Sequence, residues 1–227
     1  MGLSLSIVMP VLDEAGGIAA ALEALAPLRA RGAELIVVDG GSADDTPARC
    51  RGAVDALLQT PAGRARQMNA GAAAARGAVL LFLHADTRLP DHADRLIADG
   101  LRDSRRSWGR FDVTIDGRSR WFAVIAALMN LRSRLTGIAT GDQALFVTRA
   151  AFDAAGRFPD QPLMEDIELS RRLRRHAGAP LCLAERVHTS GRRWERHGVW
   201  RTVVLMWRLR LLYRLGVSAE RLARDYR

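Results

Sequence analysis

The chain has 227 residues, 48% of them hydrophobic, enough for one large domain with a sizeable core. Its formal net charge of +9 points to an acidic partner: a nucleotide diphosphate, a nucleic acid or an anionic membrane surface. All 34 basic residues are arginine, which excludes Schiff-base chemistry, a pyridoxal phosphate anchor and a P-loop lysine.

Residues 5–9 form a short apolar run that stops at Pro10 and predicts a buried strand. Ile18, Leu22, Leu25 and Leu28 then recur at helical spacing within residues 16–31. Residues 35–38 predict a second buried strand, ended by Asp39-Gly40-Gly41. Thr46-Pro47 predicts an N-cap followed by proline at the first helical position. A third strand is predicted over 53–58, an alanine-rich helix over 64–76 closed by Gly77, and a fourth buried strand over 79–83. Strands alternating with helices predict a mainly parallel α/β sheet covered on both faces. Beyond about residue 105 the pattern changes. Residues 111–115 alternate like a strand with one exposed face, 121–134 are helical, and 144–147 are again strand-like. Residues 165–176 predict a helix with Ile167, Leu169 and Leu173 facing inward, and 199–217 a long helix of apolar residues and arginines. No repeat and no linker divides the chain.

Three acidic loops follow directly on predicted strands: Asp13-Glu14, Asp39 and Asp86. Ligands of open α/β sheets bind beyond the carboxyl ends of the strands. Each aspartate alone reads equally as a turn or cap residue. Together they form a cluster of like charges that a divalent cation or ligand hydroxyls would relieve. Neither G-x-G-x-x-G nor G-x-x-x-x-G-K-[ST] occurs, which argues against a dinucleotide dehydrogenase or a P-loop NTPase.

Four segments, in order, resemble glycosyltransferase family 2, of GT-A fold. Leu5-Ser-Ile-Val-Met-Pro-Val-Leu-Asp-Glu14 resembles its opening strand and loop, and Val37-Val-Asp-Gly-Gly-Ser-Ala-Asp-Asp-Thr46 its V-D-D/G-G-S-x-D-x-T. Phe82-Leu-His-Ala-Asp-Thr87 occupies the D-x-D place, and Met164-Glu-Asp-Ile-Glu-Leu-Ser-Arg-Arg-Leu173 resembles the E-D-x-[DE]-L-x-x-R-L base motif. The stretches Gly63-Arg-Ala-Arg-Gln-Met-Asn-Ala-Gly71, Gly141-Asp-Gln143 and Thr189-Ser-Gly-Arg-Arg-Trp194 resemble a small bacterial subgroup associated with radical-SAM and arsenosugar or selenium-related gene clusters.

The resemblance implies a GT-A domain over residues 1–195, with a mixed, mainly parallel sheet, and a C-terminal helical extension over 196–227 packed on it. It implies transfer of a sugar from a nucleotide diphosphate sugar, a UDP-sugar first of all, by metal-assisted inverting displacement. Pro10, Val11, Leu12, Glu14, Asp39, Arg64 and His84 would bind the nucleotide sugar. Asp39 would read the base or ribose, and Arg64 the base or phosphate. Asp86 would hold Mg²⁺ or Mn²⁺ at the diphosphate, a fit for hard oxygen ligands. His84 stands where the first aspartate of D-x-D belongs and removes one negative charge there. Asp166 would take the acceptor's proton, with Glu165 the rival beside it. Asp142, Gln143 and Trp194 would shape the acceptor side, and His188 is a further candidate metal ligand.

The Q-x-x-R-W of processive polymer synthases is missing its glutamine here, since the chain reads Ser190-Gly-Arg-Arg-Trp194. A polyprenyl-phosphate sugar transferase remains the alternative enzyme, with residues 199–217 and their arginines lying on an anionic membrane. A basic nucleic-acid-binding protein is the alternative from another class, and it leaves the strand-end carboxylates unexplained, because phosphates repel them. Cys50 and Cys182 form no C-x-x-C, a usage that suits a reducing cytoplasm. The expected location is therefore cytoplasmic, with peripheral contact at the inner membrane face. No signal peptide is predicted. The longest apolar run, residues 121–131, is shorter than the ~18–20 residues of a membrane span.

Overall fold

The computed structural model describes residues 4–226, apart from the side chain of Arg193. Strands β1 (Leu5–Val11), β2 (Glu34–Asp39), β3 (Ala56–Gln59) and β4 (Val79–Phe82) come first. Helices α1 (Ile18–Ala30), α2 (Thr46–Cys50) and α3 (Arg64–Ala74) connect them. These four strands run parallel in the order β3-β2-β1-β4. Alternate residues feed two cores, one on each face. Ile7, Met9, Leu35 and Val37 pack under α1, while Val8, Ile36, Val38 and Leu80 pack under α3. Burial on both faces explains why the strands read as unbroken apolar runs. Helix α3 lies very close to the sheet at Gly71, where a Cβ would stand 2.4 Å from the Val8 side chain.

Pro10 does not end β1 as its sequence position suggested. It pairs with Val38 of β2, but β4 pairs with β1 only as far as Val8. The missing N–H of Pro10 therefore falls beyond the last β4 partner. Asp45, not Thr46, is the cap residue of α2, and Thr46 opens the helix with its hydroxyl turned to Asp44.

The second half adds β5 (Thr87–Arg88), α4 (Ala93–Ser104), β6 (Trp108–Asp116), α5 (Phe122–Thr136), a 3-10 turn (Gly141–Gln143), β7 (Phe146–Thr148) and α6 (Arg149–Ala154). It closes with α7 (Glu165–Ala177), β8 (Leu181–Ser190), α8 (Arg192–His197), α9 (Val199–Arg214) and α10 (Ala219–Asp225). The eight-stranded sheet runs β3-β2-β1-β4-β7-β6-β8-β5, parallel at four of its seven junctions, so it is mixed and mainly parallel.

Strand β6 corrects the expectation of an exposed face. It lies between β7 and β8 and is buried almost throughout, including Arg110 and Asp112. Those two charges are tolerated because they pair. Arg110 donates to Asp112, to Ser133 Oγ at 3.0 Å and to the Asn130 carbonyl at 3.2 Å, while Arg134 donates to Asp112 at 2.5 Å. The apparent polar alternation was an internal ion-pair network, not a wet face.

The C-terminal helices cover the start of α7. Leu209 and Leu222 pack with Leu163, Met164 and Ile167, and Gln161 donates to the Tyr213 hydroxyl at 3.2 Å. Residues 1–3 and 227 of the two expected segments lie outside the described residues.

Candidate functional site

The chain order β1, β2, β3 proceeds to one side, and β4 then returns to the other side of β1. The connections from β1 and β4 therefore diverge, and a crevice opens beyond their carboxyl ends. The Leu12–Glu14 loop and the His84–Asp86 loop sit at this switch point.

Most carboxylates of the first two loops are staples. Asp39 is buried and accepts from the Gly41 N–H at 3.0 Å and from the Ser42 N–H and hydroxyl. Asp13 accepts from the Ala43 N–H at 2.8 Å. Asp44 accepts from the Ala15 N–H at 3.0 Å and from Thr46, and the Thr46 hydroxyl holds its carboxyl below the usual range. Gln67, which sequence reasoning did not single out, is fully engaged behind them. Its amide donates to the Val11 and Val38 carbonyls, both at 2.8 Å, clipping the ends of β1 and β2 together. Val11 is core, Pro10 is half-buried and Leu12 is exposed at the mouth. Asn69 is structural too, exchanging two hydrogen bonds with the backbone of Phe158.

Glu14 and Asp86 are the carboxylates left facing the crevice. Burial raises the Glu14 carboxyl, Asp86 raises it further, and Arg192 at 3.8 Å partly offsets both. Asp86 is fixed from behind by β8. The Ser190 N–H donates to its carbonyl at 3.2 Å, and Thr87 beside it donates to Thr189 at 3.1 Å. His188 lies on this strand, but its Nδ1 is 2.9 Å from Asp116, which also binds Arg88. Burial pushes the Asp116 carboxyl up, but the hydrogen bonds to His188 and Arg88 outweigh it and hold the carboxyl below the usual range. His188 is thereby committed to Asp116.

At the other end, α7 presents Glu165 and Asp166. Met164 precedes them with φ of +66°, a left-handed turn that swings the helix start into the crevice. Glu165 is 4% exposed and lies 3.8 Å from Arg64. Burial and Asp166 raise its carboxyl despite Arg64. Asp166 is half-buried, accepts from the Gly141 N–H at 3.0 Å and so ties α7 to the 3-10 turn. His84 packs on that turn, and a Cβ on Gly141 would meet its ring at 2.5 Å. Its Nδ1 lies 3.6 Å from Asp142. Asp142 is half-buried, with 44% of its side chain exposed. Burial would raise its carboxyl, but His84, Arg64 and Arg210 together bring it below the usual value. Arg64, Met68, Phe82, His84, Gly141, Glu165 and Asp166 line one pocket. A second hollow, between α1 and the loop after β5, is lined by Ala24, Pro27, Leu28 and Arg31 among others and gathers none of these carboxylates.

Gln143 does not reach the cleft. It is buried, its Oε1 accepting from Thr140 and its amide donating to Asn130 at 3.3 Å, so it holds the turn from behind. Trp194, on α8, is half-buried against the core. Among the described residues, no three His, Cys, Asp or Glu side chains are grouped to hold a metal ion. Asp86, with Glu14 near it, offers hard oxygen donors that fit a cation completing its shell from phosphates and water, as Mg²⁺ does.

Fold and cleft define a doubly covered α/β protein whose ligand crevice lies at the switch point of its sheet. The sequence model described as Glycosyl transferase family 2 matches residues 6–155, and the chain belongs to that family. Among solved structures it is similar to residues 1–349 of S. aureus TarS, with a TM-score of 0.67 at 17% identity over 83% of this chain and 61% of that one. The same fragment in complex with UDP-GlcNAc gives 0.67 at 17% identity, over 83% and 58%. Glucosyl-3-phosphoglycerate synthase from Mycobacterium tuberculosis, in complex with Mn²⁺, UDP and glucosyl-3-phosphoglycerate, gives 0.57 at 17%, over 83% and 71%. These likenesses establish the GT-A fold. The chain spans less than two thirds of the length of these TarS structures. No match was found among curated proteins.

Proposed function

We propose that the chain transfers a sugar from a UDP-sugar to an acceptor hydroxyl by one inverting displacement. The observation that carries this is a single crevice with two distinct ends. Glu14 and Asp86 stand at one end and Asp166 at the other, with His84 between them as an electrostatic neighbour of Glu14, Asp142 and Glu165. The acceptor O–H would give its proton to the Asp166 carboxylate as its oxygen bonds to the anomeric carbon. The bond from that carbon to the diphosphate breaks, and its electron pair leaves on the phosphate oxygen. Asp166 is preferred over Glu165 because it is open to the cleft, whereas Glu165 is buried against Arg64.

A Mg²⁺ or Mn²⁺ ion held by Asp86, with help from Glu14, would supply charge neutralisation for the leaving diphosphate. The structural neighbours include complexes with UDP and UDP-GlcNAc and one with Mn²⁺ and UDP, which supports this choice of donor and ion. Arg64 would approach the nucleotide from α3. Asp39 and Gln67 would hold the two loops that receive the base, and Pro10, Val11 and Leu12 would form its wall. Asp142 borders the acceptor path through His84, Trp194 is assigned to packing, and the finer subgroup resemblance rests on its motifs alone. Melting the full chain with UDP, UDP-sugars and other nucleotide sugars, with and without Mn²⁺, tests the proposal. A ligand at 100 times its Kd stabilises by about 2.7 kcal/mol. A duplex oligonucleotide that raises the melting temperature where no nucleotide does would overturn the reading in favour of a nucleic-acid partner.

A second observation favours work at a membrane surface. Trp121, Val124, Leu128, Leu131 and Leu135 form one exposed stripe along α5, and Trp200, Val204, Trp207, Leu211 and Leu215 another along α9. The stripes meet where the Trp121 and Trp200 rings stand 4.9 Å apart. Neither helix contains an acidic residue, and Arg201, Arg208 and Arg214 lie exposed on α9. No helix among the described residues is long and apolar enough to cross a membrane. Apolar residues, tryptophans and arginines on one face fit an anionic bilayer surface. A second copy would set arginines against arginines. Sedimentation with phosphatidylglycerol vesicles should carry the protein down, phosphatidylcholine vesicles should carry less, and Trp207→Glu should release it. A Trp207-dependent dimer without vesicle binding would assign the face to a second copy instead.

A further inference from the structure

The chain saturates its buried guanidinium groups wherever they serve the fold. Arg110 is matched by Asp112, Ser133 and the Asn130 carbonyl, and Arg149 by the carbonyls of Ala72, Ala75 and Gly77. Two arginines break this pattern. Arg132 on α5 buries Nε and Nη2, and Arg210 on α9 buries Nε, and none of these three atoms finds an acceptor among the described residues. A buried donor without a partner is unfavourable, and more so when it is charged. Three such donors brought together by two different helices are a recurrent vacancy rather than an isolated flaw.

The two groups are also close neighbours of one another. Burial, and then the charge of Arg210, pushes Arg132 down to about 10, so it remains protonated at neutral pH. Burial lowers Arg210 as well, against the pull of Asp166, Asp142 and Tyr226. Two half-buried like charges, with three buried nitrogens that find no acceptor among the described residues, are chemically suited to an anion.

Which anion follows from position. The carboxylates that act on Arg132 and Arg210 are Asp166 and Asp142. Glu14, beside Asp86 at the opposite end of the crevice, has its own arginine in Arg192. We propose that Arg132 and Arg210 bind an anionic group of the acceptor, a phosphate or comparable oxyanion, and so set its hydroxyl beside Asp166. The proposal rests on the glycosyl-transfer reading and extends it to the acceptor's chemical class. Arg132 and Arg210 act here as binding and positioning residues. They come from the same helices that carry the exposed apolar stripes, turned inward instead of outward, so a lipid headgroup and a soluble phosphomonoester are both sources of this chemistry.

The test titrates the full chain, already saturated with UDP and Mg²⁺, with inorganic phosphate and with phosphoserine. Arg132→Met and Arg210→Met keep bulk and remove charge. Saturable phosphate binding to the UDP-loaded protein is expected, weakened at least tenfold in each variant, with UDP affinity within twofold of wild type. Arg132→Lys should recover part of it, since a point charge remains without the planar fork. The melting temperature of the ligand-free methionine variants should equal or exceed that of wild type, because an unpaired buried charge has been removed. If the soluble phosphates fail, vesicles containing phosphatidic acid should bind in an Arg132- and Arg210-dependent way, which assigns the anion to a lipid headgroup. Phosphate displaced competitively by UDP would place these arginines on the donor diphosphate and overturn the proposal. Wild-type binding of both probes by both variants would overturn it as well. A wild-type chain that does not bind UDP would instead sink the donor reading on which the titration depends.

Discussion

The two ends of the crevice handle charge in opposite ways. At the β1–β2 end, Asp13, Asp39 and Asp44 all accept hydrogen bonds from neighbouring N–H groups, and the Gln67 amide closes the strand ends behind them. At the α7 end, Glu165 is buried with its carboxyl raised, Asp142 is part-exposed, and Arg132 Nε and Nη2 and Arg210 Nε lack acceptors among the described residues. The first end is a finished scaffold. The second carries charge that only a ligand would complete, and this is where a native structure holds unfavourable energy for function.

The largest effect should come from the unfinished end. Asp166→Asn keeps an oxygen for the Gly141 N–H at nearly the same place, so fold and donor affinity should survive. Asparagine does not take up the acceptor proton, and loss of a positioned general base lowers turnover by about 10²–10⁴-fold. Single-turnover transfer, measured alongside donor titration, reads the two apart. If Glu165→Gln abolishes transfer while Asp166→Asn turns over normally, the base is Glu165 and the comparison is drawn at the wrong residue.

Next comes Asp86, a half-buried carboxylate of the donor end. Asp86→Ala should weaken Mn²⁺-dependent UDP binding by at least tenfold, since a hard cation loses its carboxylate. UDP affinity measured without metal should change little. Equal UDP affinity of wild type and variant in saturating Mn²⁺ would remove Asp86 from the metal role.

What could be seen in the sequence follows the same division. Strands β1, β2 and β4 were legible because burial on both faces writes an unbroken apolar run, and α1 because Ile18, Leu22, Leu25 and Leu28 repeat at helical spacing. The acidic loops were legible because each directly followed a strand. Their individual roles were not, since an aspartate that staples Gly41 and Ser42 looks the same as one that faces a ligand. Strand β8 went unseen because only Val187 and Thr189 along it are fully buried, so its pattern lacks an apolar stripe. Gln67 gave no signal beyond an amide within an alanine-rich helix. Arg132 was hidden among 34 arginines, and Arg210 read with Arg201, Arg208 and Arg214 as a membrane-facing arginine of residues 199–217, whereas the structure buries its Nε.

Gln67 allows the finished end to be tested directly. Gln67→Leu has nearly the same length but removes two N–H donors; the Val11 carbonyl keeps the Gly40 N–H at 2.9 Å, so the loss falls mainly on the Val38 carbonyl. Each buried unsatisfied polar group costs about 1–3 kcal/mol, so urea unfolding should lose roughly that much or more. A change below about 0.5 kcal/mol would mean that water replaces the amide, and that the donor end is less complete than its hydrogen bonds suggest.

Glu165 gives the smallest effect and the sharpest contrast with those staples. Its carboxyl is raised above the usual 4.5, first by burial and then by Asp166, with Arg64 opposing. The native state therefore holds this proton to higher pH than the unfolded chain does. Stability changes with pH in proportion to the protons bound unfolded minus those bound native, and for Glu165 that difference is negative between the two values. Its contribution is absent below the unfolded value, grows unfavourable as pH rises through the native value, and is constant above it. Each unit by which the native value exceeds the unfolded one is worth about 1.4 kcal/mol. Glu165→Gln has no such proton, so relative to wild type it should gain stability from about pH 4 upward and keep that gain at pH 7. Urea midpoints of both proteins across this range measure it. A variant less stable than wild type at pH 7 would show that the Arg64 partnership at 3.8 Å outweighs desolvation, and that Glu165 belongs with the staples after all.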